Sequence, residues 1–321
     1  MALIETPHYN ITENSNNSQE RQDQQKQENL DFIPVLHVKD VYKSFDYKNN
    51  KNNRSCVTTT QNRLDGEQQQ QLNSSRGLRA SSYEVLNGVN LKIKEGEFVT
   101  IVGPSGCGKS TLLNIIAGLD RPDSGSVIIR GAVASNDTAL TKRIMIFQEG
   151  ALFPWLNVQD NVEFGLKIVK MPKEKSRQVA DKYIEMVGLS KFSESFVHQL
   201  SGGMKQRVAI ARALAIEPEV LLMDEPFAAL DVQTRNLLHE ELVGIHKTTG
   251  KTILFVTHNI NEAMLLGDRV IILSSVLKNI KKEFRIDIPR PRDPKNPELY
   301  EIKKQIHLEF EGDFQIDKRR R

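Results

Sequence analysis

Eight consecutive residues carry the first recognisable chemistry: Gly103, Pro104, Ser105, Gly106, Cys107, Gly108, Lys109 and Ser110, with Thr111 next. They fit the spacing G-x-x-x-x-G-K-[ST], directly after the apolar run FVTIV and before the helical pattern STLLNIIAGL. Glycines at this spacing let successive backbone N–H groups turn inward and approach phosphate oxygens, and the helix N-terminus adds positive potential. Lys109 would reach the β- and γ-phosphates of a nucleotide, and Ser110 would ligate Mg²⁺. A plain glycine-rich turn with a solvated lysine would not need strand, loop and helix in this register. Such a site also needs a metal-anchoring acid on a neighbouring strand. VLLMDE, residues 220–225, supplies one. Four apolar residues bury the strand before Asp224 emerges at its C-terminal edge, and Glu225 can face the terminal phosphate as a base for the attacking water.

These groups need a sheet to hold them. After residue 95 the short apolar segments FVTIVG, RIMIFQ, EVLLMDEP, KTILFVTH and DRVIILS alternate with helical stretches. That alternation predicts an α/β fold with a mainly parallel sheet and crossover helices. Between RIMIFQ and EVLLMDEP lie some seventy residues, more than one crossover uses, so about 150–215 reads as an inserted helical subdomain. Upstream, PVLHVKDVYKSF and YEVLNGVNLKI predict two strands of a small antiparallel sheet, with Val89, Leu91 and Ile93 apolar at every second position. The polar, low-complexity tract 46–82 between them reads as an insertion at a turn, where added length costs little. Residues 1–33, rich in Asn, Gln, Ser and Glu, read as a disordered tail. The folded domain is expected over 34–275, leaving the charged, proline-punctuated stretch 276–321 as a C-terminal tail.

Composition narrows the class. With 39% hydrophobic residues in 321, most of the chain can fold, while a mean hydropathy of −0.43 agrees with part of it staying outside a core. The 44 basic and 41 acidic residues nearly balance, at +3, so nucleic acid is not expected as a partner. Two cysteines, Cys56 and Cys107, exclude a disulfide framework and suit a reducing compartment. The first twenty residues lack the basic and apolar regions of a signal peptide, and no run approaches the length needed to cross a bilayer. A cytosolic protein is expected, with any membrane role exerted through a partner.

LSGGMKQR, residues 200–207, resembles the signature motif of ATP-binding cassette (ABC) ATPases and lies, as in that family, between the two nucleotide motifs. Gln148 of IFQEG is similar to the family's Q-loop glutamine, Asp231 of AALD to its D-loop, and His258 of FVTH to its switch histidine. Phe45 of YKSF resembles the aromatic that stacks on adenine, with Tyr83 across the insertion as the alternative. The resemblance covers about residues 35–275. It implies a P-loop NTPase fold, ATP and Mg²⁺ as cofactors, and ATP hydrolysis. Ser110, Gln148 and Asp224 would hold the metal, and Glu225, His258 and Gln148 would surround the reacting phosphate. Ser201, Gly202 and Gly203, just before a helical run, would form a second phosphate cradle far from Lys109 of the same chain. Two cassettes facing head to tail would then place each Ser201 on the other's γ-phosphate.

The segment FQEGALFPWLNVQDNVEFGLK, with Pro154 and Trp155, resembles the nitrate/sulfonate/taurine importer subfamily, as does IDIPRPRD. One departure is that Val276, Leu277 and Lys278 replace a Pro-Gly-Arg expected after LSS. The partners implied are membrane permease subunits, a second ATPase subunit and, indirectly, an extracytoplasmic solute-binding protein. The implied location is peripheral, on the cytoplasmic face of the inner membrane. The heptad insertions or paired cassettes of non-transport ABC ATPases do not occur in the sequence.

Overall fold

The computed structural model describes residues 33–47, 81–134, 143–148 and 151–320. Nearly all of the expected N-terminal tail, the bulk of the 46–82 insertion, and Cys56 lie outside the described residues. In chain order the strands are β1 (Leu36–Tyr47), β2 (Ser81–Ile93), β3 (Phe98–Val102), β4 (Ser124–Ile129), β5 (Ala132–Val133), β6 (Arg143–Ile146), β7 (Val220–Asp224), β8 (Thr252–Thr257), β9 (Arg269–Leu273) and β10 (Ile280–Arg285).

Alternating apolar residues make the smaller sheet. Leu36, Val38 and Val41 of β1 and Leu86, Val89, Leu91 and Ile93 of β2 are all buried. The sheet is antiparallel, in the order β2-β1-β4-β5. The larger sheet runs β10-β9-β3-β8-β7-β6, parallel throughout except for β10. Its central strands are continuous apolar runs, buried on both faces, as a parallel sheet covered by helices requires. One expectation is corrected here. The strand beside β3 is β8, so the acid of β7 lies one strand further from the glycine loop than the sequence suggested. Helix α1 (Lys109–Ala117) makes up the distance, since it leaves the loop and packs on β7 and β6.

Beyond β6, α2 (Val158–Ile168), α3 (Lys173–Met186) and α4 (Gly202–Ala215) pack on one another where an inserted helical subdomain was expected. Side-chain oxygens cap the helices. Asn157 accepts from Asp160 N–H (2.7 Å) for α2, and Ser201 from Met204 N–H (3.3 Å) for α4. Asp231 accepts from Thr234 N–H (3.0 Å) for α5 (Val232–Thr249), and Asn259 caps α6 (Ile260–Leu266).

Residues 276–321 are expected as a tail outside the domain, but the described part of this stretch belongs to the fold. β10 extends the large sheet, and α7 (Pro297–Arg320) packs on α6. Phe284, Ile286, Leu299 and Ile306 share a core with Ala263, Met264, Val270 and Ile272. Between strand and helix, the buried Arg292 stitches the segment to the end of α6, donating to the Met264 and Gly267 carbonyls.

Candidate nucleotide site

Four sequence motifs converge at the C-terminal ends of adjacent parallel strands, the usual ligand position of an open α/β sheet. β3 runs into the glycine loop, β8 into His258, β7 into Asp224 and Glu225, and β6 towards Gln148. In the loop, Gly106 and Gly108 hold φ of +78° and +103°, which a side chain would strain. A Cβ on Gly103 would come within 2.5 Å of the Leu273 carbonyl oxygen, and one on Gly108 within 2.9 Å of Leu86 Cδ2. Gly108 caps α1 without a side-chain oxygen, so the first-turn N–H groups keep their capacity for an anion. Pro104 is half-buried and Ser105 exposed on the rim of the loop; Ser110 is exposed at the start of α1, with Thr111 half-buried behind it.

Lys109 is buried and folds across its own loop, donating to Gly103 O (2.8 Å) and Pro104 O (3.2 Å). Asp224 stands nearby. Burial pushes its carboxyl above the ordinary carboxylate range, while a hydrogen bond from the Ser110 hydroxyl and the charge of Lys109 pull it back. Its Oδ1 is buried and has no hydrogen-bond partner. A desolvated carboxylate oxygen beside a serine hydroxyl is a set of hard oxygen donors of the kind a small divalent cation takes.

Glu225 leaves β7 with φ of +45°, a conformation that costs energy outside glycine, and its N–H is held by Val256 O (3.0 Å). Its Oε2 lies 2.8 Å from Nδ1 of the exposed His258. Ile146 is the partner of Met223, so Gln148 and Glu225 leave neighbouring strands at the same level, Gln148 exposed. Phe45 and Tyr83, read as alternatives, are cross-strand partners of β1 and β2 and so share one face. Phe45 is half-buried against the core. Tyr83 is exposed, with Lys278 donating to its hydroxyl (2.9 Å) from above the ring. Thus Lys278, part of the departure from the subfamily pattern, lies over Tyr83. Cys107 packs inside the loop, and burial raises its thiol, which makes it a poor nucleophile.

Ser201, Gly202, Gly203 and Asp231 form a second group. A Cβ on Gly203 would lie 2.7 Å from Thr234 Cγ2, and one on Gly202 3.1 Å from Leu230 Cδ2. The signature loop therefore rests on the turn that Asp231 caps. Among the described residues, no hydrogen bond or ion pair joins this group to the glycine loop.

Two polar clusters escaped the sequence reading. Asn161, fully buried, accepts from Phe153 N–H (2.9 Å) and donates to three carbonyls of the loop around Trp155. His239, Glu262 and Thr257 form a buried chain behind His258. The Asn-x-x-x-Asn spacing from the cap Asn157 hinted at the first; nothing local announces the second.

The family model described as ABC transporter matches residues 86–228. A nitrate import ATP-binding protein from Synechocystis sp. is 46% identical over 71% of this chain and 85% of its own length. A taurine import ATP-binding protein from Roseobacter denitrificans is 44% identical over 71% and 82%. A dimeric structure of the ATP-binding cassette MJ0796, in a post-hydrolysis state with ADP and Pi, superposes with a TM-score of 0.59 at 36% identity, covering 80% of this chain and 99% of that one. Loop, acid, histidine and signature thus sit on a fold shared with ATP-hydrolysing cassettes, and the chain belongs to the ABC transporter family as one of its ATP-binding, ATP-hydrolysing subunits.

Proposed function

We propose that this subunit energises the uptake of a small anion, of nitrate or organosulfonate type, through separate membrane permease subunits. The names of the relatives support the substrate class. The observation that carries the importer reading is the loop after Gln148. Trp155 is 70% exposed and leans on Phe153, which packs on Phe164 and lies under Arg212, with ring and guanidinium centres 4.2–5.6 Å apart. An aromatic this exposed, on a loop pinned from below by Asn161, is a rigid anchor suited to a short helix of a partner. No helix among the described residues is long and apolar enough to cross a membrane, and we place the subunit peripherally, on the cytoplasmic face.

In the proposed mechanism the triphosphate enters the loop 103–110, and Lys109 exchanges the Gly103 and Pro104 carbonyls for phosphate oxygens. Ser110, Asp224 and Gln148 would hold Mg²⁺, which when bound neutralises charge on the β- and γ-phosphates. Glu225 takes a proton from the attacking water, and His258 orients Glu225 and contacts the γ-phosphate. Phe45 stacks on adenine, with Tyr83 beside it on the same face. Ser201, Gly202 and Gly203, with Asp231 next to them, meet the γ-phosphate held by a second ATPase subunit, so ATP closes the pair and hydrolysis releases it. The solute-binding protein delivers the anion outside and never touches this chain.

A strain lacking the gene should fail to grow with nitrate or a sulfonate as the limiting nutrient and recover with the intact gene. Trp155→Ala should keep the ATPase rate of the isolated subunit but not restore growth. Normal uptake of these anions alongside a defect in sugar or metal uptake would overturn the substrate class. Restored growth with Trp155→Ala would remove the docking role.

A further inference from the structure

The roles assigned so far leave unused the polar cluster where α5 meets α6. His239 of α5 and Glu262 of α6 are both buried, with Nε2 2.6 Å from Oε1. The other oxygen of Glu262 accepts from the hydroxyl of Thr257, which is also buried. Thr257 Oγ1 in turn accepts from Asn259 N–H at 3.0 Å. His258 lies between these two residues, so one hydroxyl oxygen, itself held by Glu262, fixes the chain on both sides of it. The Asn259 side chain accepts from the N–H groups of Asn261 (3.0 Å) and Glu262 (3.3 Å), which joins the same turn to the first turn of α6. On its other side the cluster touches the strand end that bears Glu225: the His239 ring lies 5.5 Å from the ring of Phe227, two residues beyond Glu225.

The cluster therefore braces both ends of the Glu225–His258 contact, which itself spans 2.8 Å. Burying three polar side chains costs desolvation that apolar groups of the same shape would avoid, so the cluster is not the cheapest way to pack two helices. Its geometry points to a second use. We propose that Thr257, Glu262 and His239 are positioning residues. They lock the turn that presents His258 to Glu225, and they tie that turn to α5, the helix that Asp231 caps. The inference rests on the reading of Glu225 and His258 as the hydrolytic pair. A hydrolytic pair held too loosely loses rate while the nucleotide still binds, because a misplacement of about 1 Å costs up to about a hundredfold in turnover.

The test is a mutant cycle on the full-length chain, reading kcat, KM, ATP affinity in the absence of turnover, and Tm. Thr257→Val should lower kcat about tenfold, with KM and ATP affinity within about twofold of the parent. Thr257→Ser, which keeps the hydroxyl, should restore most of the rate. In the His258→Ala background, Thr257→Val should cost less than about twofold further, because it acts through a side chain already gone. If Thr257→Val does not fold, Glu262→Gln, which keeps the shape and removes the charge, takes its place in the cycle with the same expected split. A Thr257→Val that loses ATP affinity and Tm in step with kcat, or whose full loss multiplies onto that of His258→Ala, would make the cluster a simple helix clasp and overturn the proposal. A parental kcat in His258→Ala alone would remove the hydrolytic role of His258, and this inference with it.

Discussion

The glycine loop and the C-terminal segment each bury one basic side chain against backbone carbonyls, with Lys109 6% and Arg292 7% exposed. Around Arg292 four of the five guanidinium N–H groups are taken by carbonyls: Nε donates to Ile288 O (2.7 Å), Nη1 to Met264 O (2.8 Å) and Gly267 O (2.5 Å), and Nη2 to Ile286 O (3.0 Å). Those acceptors belong to the end of α6 and to the segment itself, and burial brings the pKa of Arg292 down to about 10. Lys109 has three donors and two acceptors, both in its own loop, where Gly106 and Gly108 can adjust. Close by, one oxygen of Asp224 has no partner. A planar fork held by carbonyls from separate segments of the fold is fixed in place, whereas a point charge on carbonyls of its own loop can be redirected to phosphate. Burial alone therefore does not set the two cations apart; where their acceptors lie in the fold does.

The comparison is sharpened most by Arg292→Ala. Stranding two carbonyls at the end of α6 and two in the segment itself should cost roughly 3 kcal/mol or more of unfolding free energy, read by denaturant midpoint, with ATP affinity of the folded protein nearly unchanged. Lost ATP affinity at parental stability would break the distinction. Lys109→Met is the mirror case. ATP affinity should fall about a hundredfold, roughly 2.7 kcal/mol, while the midpoint without nucleotide stays within about 0.5 kcal/mol of the parent. The smallest effect on stability is that of Asp224→Asn. Burial disfavours the charged carboxylate at neutral pH, so the neutral isostere should slightly raise the midpoint of the nucleotide-free protein while hydrolysis is lost. A clear loss of stability would mean that Asp224 is a structural anchor instead.

The two regions also differ in how far they can be read from the chain. The phosphate loop is legible because strand, loop, Lys109 and helix are contiguous and each glycine answers a local demand. Ser201 and Asp231 stand out in sequence as motif residues, whereas their capping of two helices shows only in the structure. The C-terminal segment is not, because Phe284, Ile286, Leu299 and Ile306 are spread among charges without a period, and their partners, such as Ala263 and Val270, lie well upstream. Strand order is equally hidden: chain order does not announce that β8 inserts between β3 and β7. The two candidate aromatics, Phe45 and Tyr83, look like competitors in sequence because the 46–82 tract separates them, whereas the β1–β2 register puts them side by side. His239 and Glu262, on different helices and 23 residues apart, carry no local signal at all.

The central claim is that the pair Glu225 and His258 turns a phosphate-binding fold into a hydrolytic one, and the most direct test measures ATP binding and ATP turnover side by side in the parent and in Glu225→Gln. The amide keeps the size of the side chain and removes its capacity as a base. ATP affinity should stay within about twofold, kcat should fall by roughly a hundredfold or more, and an ATP-bound dimer should accumulate on size-exclusion chromatography. A Glu225→Gln protein that hydrolyses ATP at the parental rate would contradict the account.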